Sequence, residues 1–139
     1  MKIEIDVVVK SDINTVWNCW SKPEHVIHWN FASSDWCCPK AESNFNEGGQ
    51  FSYRMESRDG IMGFDFMGTF TNIEPKKNIQ FKLDDGRMVQ VHFSEINIGV
   101  LVQEIFEAEN IHSVQEQKDG WKSILENFKS HVETLSKEQ

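Results

Sequence analysis

The C-terminal stretch SVQEQKDGWKSILENFKSHVETL, residues 113–135, decides the fold of this chain. Its apolar side chains recur every three or four residues, which predicts one amphipathic helix. Ser113 and Glu116 form a capping box at its start, and about 24 residues make a helix of roughly 36 Å. Gly120 interrupts it at a cost of about 1 kcal/mol, so close packing or a lined space is expected there. The stripe consists of Val114, Gln117, Trp121, Ile124, Leu125, Phe128, Val132 and Leu135.

The chain before this helix supplies an apolar face that the stripe can cover. Residues 2–9 alternate apolar and charged side chains, which predicts a strand. Two short helices follow, one over about 13–20 and one from Pro23 to about His28. After that the period changes to two, which is typical of strands with one buried face. The alternating segments are 49–57, 61–73, 79–84, 89–94 and 100–107.

This order of elements predicts a single α+β domain over residues 1–139. A curved antiparallel sheet of about six or seven strands wraps around the long C-terminal helix, and the two short helices follow the first strand. Such a sheet tends to leave a space where it diverges from the helix. The inward faces are rich in the chain's ten Phe and five Trp residues, so aromatic rings are expected to line that space.

Composition excludes several classes of protein. The chain of 139 residues carries 14 basic and 22 acidic side chains, a net charge of −8, without the basic cluster of a nucleic-acid binder. Its apolar runs are far too short to insert into a membrane, and the charged, alternating N-terminus is unlike a signal peptide. We therefore expect a cytoplasmic protein whose three cysteines are reduced thiols.

Several phrases of the sequence resemble the activator-of-heat-shock-protein-90-ATPase homologue family. The resemblance spans nearly the whole chain, in order and at plausible spacing. Its phrases are Val16-Trp17-Asn18-Cys19-Trp20, Pro23-Glu24-His25-Val26, Trp29, Gly48-Gly49-Gln50-Phe51, Met67-Gly68-Thr69-Phe70, Ile73-Glu74-Pro75, Phe106-Glu107-Ala108-Glu109 and Gly120-Trp121-Lys122-Ser123-Ile124-Leu125. That family belongs to the START-like, helix-grip superfamily (SRPBCC). The resemblance implies a hydrophobic cavity between the sheet and the last helix, and it implies no universal catalytic residues.

The function expected from this reading is binding of a small apolar or amphipathic molecule in that cavity. Burial of apolar area would drive binding, and one or two polar groups would set the orientation. Gln117 is the first choice for such a group and Glu104 the second. The residues expected at the site are Trp29, Trp36, Phe51, Tyr53, Phe64, Phe66, Phe81, Val91, Glu104, Gln117 and Trp121. For most of these rings, plain core packing is the competing interpretation.

Two other functions stay open. A cyclase- or hydrolase-type enzyme would need a carboxylate inside the cavity. Glu104 lies there only if the even-numbered positions of 100–106 face inward, and burial would then raise its pKa. A co-chaperone-like interaction domain would need a large exposed surface in place of a deep pocket. A homodimer is compatible with either function.

Metal and nucleophile motifs are weak. His25 and His28, with Cys37 and Cys38, could supply four zinc-type ligands, but adjacent cysteines rarely point at one metal. No nucleophile elbow and no phosphate-binding loop is present. We therefore expect no catalytic residue, no metal and no cofactor from these motifs.

Overall fold

The computed structural model describes residues 1–138, which form seven strands and three helices. The fold is α+β, as the sequence predicts, with the sheet and the long helix as its two layers. The elements are β1 (Lys2–Val9), α1 (Ile13–Ser21), α2 (Pro23–Val26), β2 (Trp36–Ser43), β3 (Gln50–Ser57), β4 (Gly63–Glu74), β5 (Asn78–Leu83), β6 (Met88–Ile96), β7 (Gly99–Glu107) and α3 (Val114–Glu138).

All seven strands belong to one antiparallel sheet in the order β1-β7-β6-β5-β4-β3-β2. From β2 onward each strand pairs with the next strand in sequence, and β1 joins the far edge beside β7. The sheet curls into a half-barrel around α3, which confirms the predicted helix-grip fold.

The strand β2 is missing from the sequence prediction, which takes the periodic region to begin only at residue 49. Its residues lack clean alternation, because Pro39 interrupts the run and the register shifts between Cys37 and Lys40. Both features are tolerated at the edge of a sheet, where one side of the strand needs no ladder hydrogen bonds. The position of β2 outside β3 meets that condition.

The helix α3 is fixed to the sheet by its C-terminal half. Leu125, Phe128 and Val132 are buried in the core. The ring of Phe128 lies between two indoles, with centroid distances of 4.9 Å to Trp20 and 5.0 Å to Trp29. These contacts join α3 to α1 and to the chain after α2 in one aromatic cluster.

Polar contacts hold the same helix along the edge strand β1. The ammonium groups of Lys122 and Lys129 donate to the backbone carbonyls of Asp6 and Val8. These donors satisfy carbonyls at an edge where no further strand pairs. The predicted capping box at the start of α3 is also present, since the amide of Glu116 donates to Ser113 Oγ at 3.0 Å.

We expect Phe128→Ala to destabilise the protein by about 3–5 kcal/mol, because it removes the ring that joins α3 to α1 and to the chain after α2, and leaves a cavity. Chemical unfolding in urea measures this difference. The control is Ser130→Ala on the exposed face of α3, which should change the free energy of unfolding by less than about 0.5 kcal/mol. Similar values for both variants would show that the cluster does not anchor the helix.

Candidate functional site

A cavity of about 590 Å³ lies between the concave face of the sheet and the N-terminal half of α3. Its wall on the sheet side is almost entirely aromatic. The helix side presents one face, spaced at three and four residues. The lining residues are Trp20, Trp29, Asn30, Phe45, Phe51, Tyr53, Met55, Phe64, Phe66, Phe70, Phe81, Arg87, Glu104, Glu109, His112, Glu116, Gln117, Gly120, Trp121 and Ile124.

The aromatic wall is held by contacts among its own rings. Phe51 lies at the centre, with ring-centroid distances of 4.9 Å to Tyr53 and 5.1 Å to both Phe70 and Phe81. Gly68 makes room for it, since a Cβ there would lie 2.9 Å from the Phe51 ring and 2.7 Å from a backbone oxygen of β5. Each ring of the wall is therefore braced by other rings of the protein.

The opposite wall is organised by Trp121. Its indole stacks on Phe106 at 3.9 Å with 8° between the planes, and it meets Phe66 edge-on at 5.9 Å. The residue before it, Gly120, faces open space, since a Cβ built there has no atom within 4 Å. The helix therefore leaves a gap beside the indole, which agrees with the lined space expected at this glycine.

The structure brings together nine of the eleven residues expected at the site. They are Trp29, Phe51, Tyr53, Phe64, Phe66, Phe81, Glu104, Gln117 and Trp121. Trp36 and Val91 do not line the cavity. Trp36 begins the edge strand β2 and its ring lies 6.1 Å from that of Phe64, whereas Val91 is fully buried within the core opposite Glu104. Residue type alone could not separate these two from the rest.

Some lining residues that are not among the eleven expected site residues carried a usable signal. Gly120 and Ile124 continue the helical spacing of Gln117 and Trp121, and Met55 shares the parity of Phe51. Other lining residues gave no signal because tertiary packing alone brings them to the cavity; they are Trp20, Asn30 and Phe45.

Glu104 enters the cavity from β7. The even-numbered positions of that strand are the buried ones, and Glu104 itself is 6% exposed. Burial raises the pKa of Glu104 to about 8, because the carboxylate form loses its water. At neutral pH the group is therefore mainly a neutral carboxylic acid that can donate a hydrogen bond.

Gln117 also lines the cavity, but its amide is already occupied. Its Oε1 accepts from the backbone amide of Glu109 at 2.9 Å, and its Nε2 donates to the carbonyls of Glu109 at 3.1 Å and His112 at 2.9 Å. The side chain thus holds the loop between β7 and α3 in place. As a polar group available to a ligand, it is weaker than the sequence suggests.

Asn30 is the polar group that sequence reasoning missed. It is 6% exposed, and its Nδ2 is buried with no hydrogen-bond partner. Burial raises the pKa of the neighbouring Cys38 thiol to about 11 and the Asn30 amide opposes that rise, although the two groups do not meet hydrogen-bond geometry. An unpartnered buried donor costs free energy, so rotation of the Asn30 amide toward a ligand acceptor in the cavity would recover it.

Charged side chains gather at the solvent end of the cavity. Arg87 is half-buried, and its Nε donates a hydrogen bond to Asp85 Oδ2 at 2.8 Å. Glu109 accepts a hydrogen bond from the backbone amide of His112 at 2.6 Å. That hydrogen bond is the main cause that lowers the pKa of Glu109. With Glu116 also lining this end, the mouth is polar and the interior is apolar.

The structure separates the residues considered for zinc. His25 lies against Cys19 and His131, and His28 stacks on His131 with ring centroids 5.6 Å apart. The metal-binding types of side chain that cluster with His25 include neither Cys37 nor Cys38. The thiol beside His25 therefore comes from Cys19 in α1, and the sequence analysis did not consider that pairing.

Residues 10–133 match the family model described as Activator of Hsp90 ATPase homolog 1-like protein. The chain belongs to this family. The AHSA1-like protein from Aeromonas hydrophila, known from a solution NMR structure, is 42% identical, with a TM-score of 0.92 over 97% of this chain and 94% of that one. This confirms the family resemblance that the sequence carries.

More distant relatives share the same fold. Chr148 from Cytophaga hutchinsonii is 33% identical, with a TM-score of 0.82 over 99% of this chain and 96% of that one. NE0264 from Nitrosomonas europaea has a TM-score of 0.85 over 97% and 96% of the two chains, but at 13% identity this similarity concerns the fold alone. No curated protein matches the chain. Within residues 1–138, none of the helices is both long and apolar enough to cross a membrane.

We expect Glu104→Gln to stabilise the protein more as the pH rises. The folded-state pKa of about 8 lies above the unfolded value of 4.5, so the native state keeps this proton longer. The wild type therefore loses stability between these two pH values, at about 1.4 kcal/mol per unit at most, and the variant does not. Urea unfolding from pH 5 to pH 9 measures the difference.

The control for this experiment is Glu4→Gln, which removes an exposed carboxylate on β1. It should leave the pH dependence of the free energy of unfolding unchanged. Parallel pH profiles for wild type and Glu104→Gln would contradict the assignment of a buried, mainly neutral acid.

Proposed function

We propose that this protein binds a small, largely apolar molecule in the cavity between the sheet and α3. The observation that carries the proposal is a cavity with preformed aromatic walls. Two polar side chains also line it: Glu104, a buried acid with a raised pKa, and Asn30, whose Nδ2 has no hydrogen-bond partner. A volume of about 590 Å³ lies within the usual range for small-molecule sites. A reducing, cytoplasmic setting belongs to the same proposal, supported by three free cysteines.

Burial supplies the main driving force in this proposal. A ligand that buries about 200 Å² of apolar surface gains roughly 5 kcal/mol before the entropic cost of association. Braced rings such as Phe51 and Trp121 lose little freedom on binding, so that cost is reduced.

The two polar groups select the ligand's chemistry. The protonated carboxyl of Glu104 and the Nδ2 group of Asn30 are both hydrogen-bond donors. They favour a ligand with an acceptor, such as a carbonyl or ether oxygen. The mouth carries more acidic than basic groups, which disfavours a strongly anionic head group there.

We expect Gly120→Leu to weaken binding of the neutral apolar probe N-phenyl-1-naphthylamine at least tenfold. Its Cβ lies in open space at the cavity wall, so the side chain can extend into the site. Replacing Gly within a helix also favours folding by about 1 kcal/mol. Fluorescence titration gives the affinity, and thermal unfolding verifies that the variant remains folded.

The matched control is Lys118→Leu, which adds the same side chain on the exposed face of α3. It should leave probe affinity within about twofold of wild type, an effect of only about 0.4 kcal/mol. If a folded Gly120→Leu bound the probe as tightly as the wild type, the ligand site would lie outside this cavity. Equal losses in both variants would also contradict the proposal.

A second candidate function, acid–base catalysis on such a ligand, is favoured by one observation. The pKa of Glu104 is about 8, close to the pH at which an acid or base works best. Catalysis would require turnover that follows the titration of this carboxyl and is lost in Glu104→Gln. The binding function requires only that Glu104→Gln still binds the probe.

A further inference from the structure

Three side chains of the kinds that bind metal ions, each from a different helix, lie close together. Cys19 lies in α1, His25 in α2 and His131 in α3, and their ligand atoms all lie within 4.8 Å of one another. The distance from Cys19 Sγ to His25 Nδ1 is 3.8 Å, and that from His25 Nδ1 to His131 Nε2 is 3.0 Å. His131 is 106 residues from His25, so sequence spacing could not reveal the group.

We propose that Cys19, His25 and His131 form a binding site for a divalent transition-metal ion of the Zn²⁺ type. One thiolate and two imidazoles are the donors that such ions prefer, whereas Mg²⁺ and Ca²⁺ prefer oxygen ligands. The site uses His25 from the motif that the sequence analysis set aside, but it takes its thiol from α1 and its second imidazole from α3.

The distances suit a tetrahedral ion. Bonds of about 2.05 Å to nitrogen and 2.3 Å to sulfur place two imidazole nitrogens roughly 3.3 Å apart and a nitrogen and sulfur roughly 3.6 Å apart. The observed 3.0 Å and 3.8 Å differ from these values by only a few tenths of an ångström. The ligand atoms of Cys19 and His131 lie within 4.8 Å of each other, so admitting the ion brings these two side chains closer by up to about 1.2 Å.

Protonation at neutral pH also suits the histidines. Burial, together with repulsion from His25 and His28, lowers the pKa of His131 to about 4, and burial lowers that of His25. The lowered pKa favours the neutral, metal-coordinating form of each ring. Burial raises the pKa of the Cys19 thiol to about 11, so forming the sulfur–metal bond releases its proton to solvent.

The surroundings leave a fourth position open. Cys19 is buried, whereas His25 and His131 are only partly buried, so the ion would reach solvent on one side. His28 stacks on His131 with 16° between the planes and orients that ring without belonging to the group. Three protein ligands with one open position resemble sites where water or an added ligand completes the coordination.

The test uses Co²⁺ and Zn²⁺ added to metal-free full-length protein that is kept reduced. We expect one equivalent of Co²⁺ to bind, with visible bands of tetrahedral coordination and a near-ultraviolet charge-transfer band from the thiolate. Zn²⁺ should displace it and raise the melting temperature. Absorption titration and thermal unfolding measure these effects.

Cys19→Ser should abolish the charge-transfer band, and His131→Gln should weaken Zn²⁺ binding roughly 100-fold or more. His25→Gln, on a partly exposed ring, serves as a further variant if Cys19→Ser fails to fold. The matched controls Cys37→Ser and His92→Gln remove the same donor types elsewhere and should leave binding unchanged.

The proposal is overturned if the Co²⁺ complex lacks the thiolate band, or if a folded His131→Gln binds Zn²⁺ as tightly as wild type. Binding that disappears in His92→Gln would likewise place the ion at the surface. Because the probe titration in the cavity uses no metal, either proposal can fail without the other.

Discussion

The contact between the apolar stripe of α3 and the concave face of the sheet is the constraint on which the rest of the structure depends. A sheet with one apolar face needs a cover, and here a single helix of 25 residues provides it. Phe128 makes the central contact of this helix, because its fully buried ring packs against Trp20 and Trp29. Without it, the helix would lose its contacts with α1 and with the chain after α2 together.

The stripe does two different things along its length. Its C-terminal half, with Phe128 and Val132, packs against the core, whereas its N-terminal half, with Gly120 and Trp121, faces the cavity. The lysine contacts from α3 to the carbonyls of β1 fix the helix along one edge of the sheet. The strands β3 to β5 curl away from that edge, and the space left between them and the helix becomes the cavity.

The sequence predicted those parts of the fold that local patterns encode. The period of α3, its capping box and the alternation of β1 all depend on neighbours within a few residues, and all are confirmed. The edge strand β2 was missed because a proline and a bulge remove its alternation. It forms only because β3 offers it a partner, which is not a local property.

The residues of the candidate site also fall into those that local patterns predict and those that only the tertiary structure places. Side-chain type and the spacing along strand or helix were enough to predict that Phe51, Phe66 and Trp121 line one cavity. They did not decide the position of Glu104, because both faces of β7 mix apolar and polar residues and only pairing with β1 and β6 sets which face is buried. The occupied amide of Gln117 was also invisible, since its partners are backbone groups of a loop whose shape the sequence does not specify.

Trp29 links the cavity to the group of Cys19, His25 and His131. Its ring lines the cavity and packs on Phe128, while its Nε1 donates to the backbone carbonyl of Cys19 at 2.9 Å. A displacement of α1 at Cys19 therefore moves the hydrogen-bond partner of a cavity wall. Since α3 carries both His131 and the cavity-facing Trp121, an ion that fixed the three helices together would also limit the freedom of two walls of the cavity.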